Sequence, residues 1–288
     1  MQKKLFLLII ISIFSISIKA QTLVFDKEYI DCIDKWVAIS AKADEFILGF
    51  VYFDEQAGLT LDFGGTFKIS ETGEFVLENN DDMPPFKLRL DPQRSRASVA
   101  IIPENKFEEL KIKAEPDWLK TYKENSNTTE YLYSKGYLYN AWGRCELALD
   151  YLEEANKINK EYNLALITEL AYSYNCLEQY DKVPEIIHSD TKSAYALKEL
   201  IYAQIHLGAL ETAGESCLNY IKNADNKEYA AENFYNLLSQ YYQNKDKKNF
   251  DYWLKYAKKW AKDTKISNVN EVILRNIKIM EQEMKSVK

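Results

Sequence analysis

Between Thr129 and Trp260 apolar residues recur three and four apart, the spacing that lines one face of an α-helix, and the pattern comes in about four copies. The first runs Leu132-x2-Lys135-Gly136-x2-Tyr139, then Trp142-Gly143, then Ala148-x3-Leu152-x2-Ala155. Gly136 and Ala148 are small where the two helices of one hairpin must approach, and Tyr139, Leu152 and Ala155 fill the seam. A second copy reads Ile167-x2-Leu170-Ala171-x2-Tyr174, Leu177, Tyr180 and Ile187, with Val183 where alanine is expected. With Asp181 as a helix cap, Pro184 falls in the first turn, where no intrahelical donor is lost. The third copy, Leu197-x2-Leu200-Ile201 and Leu207-Gly208-x-Leu210-x2-Ala213-x3-Cys217-x2-Tyr220, places Gln204 at the aromatic position. The fourth, Phe234, Leu237-Leu238, Tyr241, Phe250, Leu254 and Ala257, has Lys245 in place of the turn glycine. A last amphipathic stretch, Val269 to Met284, carries Val269, Val272-Ile273, Ile277 and Met280 on one stripe and suits a helix that covers the open face of the final repeat.

Upstream the period changes to two, the signature of strands. Lys35–Ile39 and Phe46–Phe53 read as strands, the second apolar enough to be central, and Leu59, Leu61 and Phe63 alternate with Thr60 and Asp62 as if one face were wet. Phe67–Ile69 and Phe75–Leu77 flank the hairpin turn Ser70-Glu71-Thr72-Gly73-Glu74; Phe86, Leu88 and Leu90 alternate again, and Val99–Ile102 ends at Pro103 before a short helix at Asn105–Leu110. Pro116-Asp117-Trp118-Leu119 begins another helix, and Thr128 or Thr129 can cap the first repeat helix.

The small-aromatic-Ala spacing, and the 35 residues from Gly136 to Ala171, resemble the tetratricopeptide repeat. The fold class expected is α+β in two domains: a small antiparallel β module followed by an α-solenoid of about four helix pairs and a capping helix. The boundaries are a signal peptide at 1–20, the β module at 21–115, a helical linker at 116–128, repeats at 129–265 and the capping helix at 266–288. In that family the first helices of successive repeats line a concave groove. Carried over residue by residue, the resemblance puts Tyr133, Tyr137, Asn140, Tyr172, Asn175, Tyr195, Lys198, Tyr202, His206, Tyr235 and Tyr242 on it. Relatives that grip a terminal carboxylate use Lys, Arg and Asn at these places; here tyrosines stand at most of them and Lys198 is the one basic residue. Tyrosine offers a large contact area at small entropic cost, together with a hydroxyl that can bond a passing backbone.

Composition adds an address. Lys3-Lys4, an apolar run from Leu5 to Ile18 and Ala20 before Gln21 form a secretory signal, and the run is short for a membrane span. Cleavage after Ala20 removes Lys3, Lys4 and Lys19, taking the formal charge from −7 to −10. Export to a periplasm or beyond is expected, with no membrane span after cleavage and little attraction to nucleic acid. Twenty-one tyrosines against nine glycines and six prolines favour packed helices over loops. The lysine-rich run 245–265 has Trp253, Ala257 and Trp260 on one helical face, a core stripe with a solvated outer side.

Cys32, Cys145, Cys176 and Cys217 fit no zinc spacing. Cys145 opens a second helix and Cys176 closes the next first helix, so antiparallel neighbours could bring them together, although free cysteine is also a common small core residue. Cys217 occupies an apolar position. His188 and His206 have no partner at metal-ligand or triad spacing, and no HExxH, GxSxG or phosphate-cradling glycine motif appears. Gly64-Gly65 reads as a strand bend, and Glu78–Asp82 as a solvated loop more than a calcium site. The expectation is therefore a non-enzyme without cofactor or metal, an adaptor holding a protein or peptide in a tyrosine-rich groove. The alternatives are an accessory or ligand-binding subunit, or an enzyme, with its site in the β module, or a structural component that joins an assembly through its convex face or last helix.

Overall fold

A computed structural model describes residues 23–42, 44–78, 85–159, 161, 163–263 and 268–285. The signal segment and most of the 78–82 loop lie outside them. The chain forms a small antiparallel sheet followed by a helical region, and divides into two compact units: one up to Tyr52 with Thr60–Asp117, the other Phe53–Leu59 with Trp118 onward. Among the described residues no helix is long and apolar enough to cross a membrane.

The sheet has strands β1 (Lys35–Lys42), β2 (Glu45–Asp54), β3 (Gly58–Ile69), β4 (Phe75–Leu77), β5 (Lys87–Arg89) and β6 (Ala100–Ile101), in the order β4-β3-β2-β1-β6 with β5 also on β3. The registers Val37↔Gly49, Val37↔Ile101, Phe67↔Leu77 and Asp62↔Lys87 are antiparallel. Val37, Leu48, Phe50, Phe67 and Val99 are buried, as the apolar runs require. Gly64 is small for a reason of space: a Cβ there would stand 2.7 Å from the Trp36 ring. Three expectations change. Thr60 is buried, so the start of β3 has no wet face. Leu88 of the three-residue β5 is exposed. A 3-10 turn at Glu104–Lys106 replaces the short α-helix after Pro103.

The second unit contains α1 (Leu119–Lys123), α2 (Thr129–Ala141), α3 (Cys145–Ile158), α4 (Leu164–Cys176), α5 (Val183–Ile186), α6 (Ala194–His206), α7 (Leu210–Asn223), α8 (Ala230–Gln243), α9 (Lys247–Asp263) and α10 (Asn268–Met284). Thr128 caps α2, Asn163 caps α4 and Ser193 caps α6, each side chain accepting from backbone N–H groups of the first turn. Pro184 sits in the first turn of α5, but Asp181 is not its cap: it lies in a 3-10 turn, and α5 is a single turn long.

Helices α2, α4, α6, α8 and α10 pack in sequence, each against the next, while α3 and α7 pack against the helices on either side of them in the chain and α9 packs against α8 and α7. Gly136 is the contact point of the first hairpin, since a Cβ there would come within 2.5 Å of Leu152 Cγ. Ala171 and Ala213 are likewise fully buried. The same turn ends all four first helices. Gly143, Glu178, Gly208 and Lys245 have φ of 69°, 58°, 75° and 53°. The next residue's N–H returns to a carbonyl five residues back in each: Arg144 to Tyr139, Gln179 to Tyr174, Ala209 to Gln204 and Asp246 to Tyr241, at 2.8–2.9 Å. Phe250, Trp253, Leu254, Ala257 and Trp260 of α9 are buried in a cluster with Ile277, Met280 and Met284 of α10. Val272 of α10, expected on that stripe, is exposed because the buried face has turned past it.

Candidate functional site

Helices α2, α4 and α6 bring together several polar groups that burial has perturbed, Tyr133, Glu169, Tyr195 and Lys198. Two asparagines join neighbouring helices. Asn140, in the last turn of α2, donates Nδ2 to Glu169 Oε2 at 2.9 Å and to the Glu169 carbonyl at 3.1 Å. Asn175, equally placed on α4, donates Nδ2 to Glu199 Oε2 at 2.7 Å and to the Glu199 carbonyl at 3.0 Å. Both carboxylates are buried. Burial pushes the Glu169 carboxyl up to about 7; Glu199 adds to the rise, and Asn140 and Lys198 oppose it.

Lys198 stands beside this pair. Its Nζ lies 3.0 Å from Glu199 Oε1 and 3.9 Å from Glu232 Oε1, over the rings of Tyr195 and Tyr229 at 5.3 and 5.5 Å. Burial works against its charge, but Glu199 and Glu232 outweigh burial and its pKa is raised. The Tyr195 hydroxyl is raised by burial and by the charges of Glu169 and Glu199, and Tyr133 by burial and Glu169. These shifts place Tyr133, Tyr195 and both glutamates within one electrostatic neighbourhood.

A cavity of about 230 Å³ opens at its centre, lined by Tyr172, Asn175 and Cys176 of α4, Lys198, Glu199 and Tyr202 of α6, and Glu232 of α8. The volume is below that of drug-sized ligand sites and has room for about one side chain. Tyr202 continues outward into a stack with His206 and Tyr180, whose ring centroids lie 4.3 and 6.2 Å from its own. Cys176 is bonded to Cys145, with Cα atoms 6.3 Å apart, which fastens the end of α4 to the start of α3. Cys217 is a buried free thiol in the core.

Of the groove residues expected from the repeat pattern, Tyr172, Asn175, Lys198 and Tyr202 meet in this cavity. Tyr133 and Tyr195 are half-buried beside it, Tyr137 is exposed one turn from Tyr133, and exposed His206 lies on Tyr202. Asn140 faces inward instead, held in the joint with Glu169, and Asn175 spends its amide N–H groups the same way. Tyr235 and Tyr242 pack against the C-terminal core, and the Tyr242 hydroxyl donates to Glu283 of α10, because the last helix lies over α8.

The repeat pattern did not single out Glu199 and Glu232, which line the cavity, or Glu169 and Tyr229, which interact with its lining residues. A faint signal exists: Tyr-Asn recurs at Tyr139-Asn140 and Tyr174-Asn175, and a glutamate follows each asparagine by 29 and 24 residues, on the next first helix. A second, more apolar cleft of about 290 Å³ lies between Ala257, Lys258 and Ala261 of α9 and Leu274, Ile277, Lys278 and Glu281 of α10. Among the described residues no group of three or more His, Cys, Asp or Glu is placed to hold a metal ion. No protein-family model, curated protein or solved structure matches the chain.

Proposed function

We propose that the chain is an exported adaptor, a tetratricopeptide-like α-solenoid preceded by a small β module, which holds a segment of another protein against its first helices. The observation that carries this reading is the convergence of Tyr172, Lys198 and Tyr202 from two successive first helices on one open cavity. Side chains that only filled an inter-helix seam would leave no such space. Aromatic walls with a few charged groups at the base suit an anchor side chain from an extended or helical segment, the rest of which runs along the half-buried tyrosines on either side. Two features support export: the apolar leader at the start of the chain and the Cys145–Cys176 bond, which persists in oxidising compartments.

The test is a selection of displayed random dodecapeptides on the full mature chain, with affinities of the enriched sequences then measured by fluorescence anisotropy. Peptides should bind the native protein and lose at least about tenfold affinity when Tyr172 and Tyr202 are both changed to Ala, as expected for aromatic anchors worth 1–2 kcal/mol or more. Selected peptides that bind the double variant equally well would remove the groove from the proposal.

A further inference from the structure

We infer that the cavity at Tyr172 and Tyr202 recognises a basic anchor, the guanidinium of an arginine in the bound segment; this deepens the adaptor reading and rests on it. Charge comes first. The lining carries the carboxylates of Glu199 and Glu232 against the single ammonium of Lys198, a formal balance of −1 at neutral pH. Lys198 does not provide an anion site, because its Nζ is already held between those two carboxylates at 3.0 and 3.9 Å. An incoming carboxylate would meet a cation whose charge is spent, and two like charges nearby.

A second observation is independent of charge. Asn175 lines the cavity and is 6% exposed, yet its Oδ1 accepts no hydrogen bond from the described residues. Its Nδ2 is committed to Glu199, so the amide cannot be turned the other way. The corresponding acceptor one repeat earlier, Asn140 Oδ1, receives the Ser173 hydroxyl at 2.9 Å. Ser173 lies four residues after Glu169, and the residue four after Glu199 is Ala203, which has no donor to offer. The cavity therefore carries a net negative charge, with a buried amide oxygen in its wall that accepts no bond from the described residues, and what its open face lacks is a cationic donor.

The walls select among cations. Tyr172 and Tyr202 are half-buried aromatic faces, and the unit already contains a cation in the same chemistry, the Lys198 ammonium over Tyr195 and Tyr229. A guanidinium is planar, is less strongly hydrated than an ammonium, stacks on tyrosine and offers five N–H donors, enough to bond the Glu232 carboxylate while its face lies on a tyrosine ring. Arginine is preferred to lysine on those grounds.

The experiment uses the peptides selected on the full mature chain. Arginine should be enriched at one position, and replacing it with Gln should weaken binding about tenfold or more, with Lys intermediate. Glu232→Gln in the protein should weaken the arginine peptide about five- to tenfold and leave the Gln peptide unchanged, so that the two losses do not add. Glu232 is partly exposed at the rim, so its loss leaves the fold intact; a circular dichroism melt checks this. Binders that depend on Tyr172 and Tyr202 but carry no basic anchor, or an acidic one, would overturn the arginine inference and leave the adaptor reading standing. Absence of any tyrosine-dependent binder would overturn both.

Discussion

Asn140 bonds Glu169 across the joint between α2 and α4, and the carboxylate it touches is 5% exposed. A buried acid with an amide partner and no directly bonded cation holds its proton longer than an exposed one, so this contact ties stability to pH.

Glu169 has its folded-state pKa raised to about 7, above an ordinary 4.5. Its stabilising contribution is complete below about pH 4.5, falls as pH rises, and is lost above 7. The full difference is about 3 kcal/mol at 1.36 kcal/mol per unit. The groups that face it are Asn140, Tyr133, Tyr195, Lys198 and Glu199. Urea unfolding of the native chain and of Glu169→Gln, which keeps an acceptor for Asn140, should diverge between pH 5 and 8, the variant gaining relative to the native chain. Parallel curves would show that Glu169 titrates normally.

Ala203→Ser supplies the hydroxyl that Asn175 Oδ1 lacks, by analogy with Ser173 on Asn140. One added buried hydrogen bond gives about 1 kcal/mol, from which helix propensity subtracts about 0.5. A small rise in urea midpoint is expected. Ala203→Val, which adds bulk without a donor at a fully buried site, should lower it.

Glu178 and Lys245 occupy left-handed turn positions that Gly143 and Gly208 fill elsewhere. Glu178→Gly and Lys245→Gly should each stabilise by about 0.5–1 kcal/mol through relief of the Cβ penalty, and Gly143→Ala and Gly208→Ala should cost about 1 kcal/mol. Thermal melts of the four variants check both signs. The opposite order would mean that the Glu178 and Lys245 side chains make contacts worth more than the strain.

Replacing Cys145 and Cys176 together with Ala removes a cross-link between residues 31 apart. The chain-entropy estimate for a loop of that size is about 3–4 kcal/mol. Urea unfolding under non-reducing conditions should show the loss, and dithiothreitol should reproduce it in the native chain while leaving the double variant unchanged.

Much of the helical unit was legible because its cause is local. Gly136, Ala171 and Ala213 are small at spacings set by helical hairpins, and Gly143 and Gly208 declare their turns by residue type. Lys245 could be assigned to a turn by position alone, whereas Glu178 could not, since neither its type nor its neighbours announce a positive φ. In the β module, alternation located the strands and misjudged Thr60, because a strand's period reports one buried face and cannot say whether the other is also covered.

What the sequence by itself determined is the order of strands and helices, the apolar stripe of each helix and the small residues where helices cross, because these follow from periodicity and volume within a few turns of chain. The tertiary structure alone decided which polar residues on those helices are buried, paired or open. Asn140 and Tyr172 occupy equally plausible groove positions in the chain, yet one is consumed by Glu169 from the next helix and the other lines a cavity. The partner that settles each case is 24 to 41 residues away, as for Asn175 with Glu199 and Tyr242 with Glu283, and the spacing of a single helix carries no information about it.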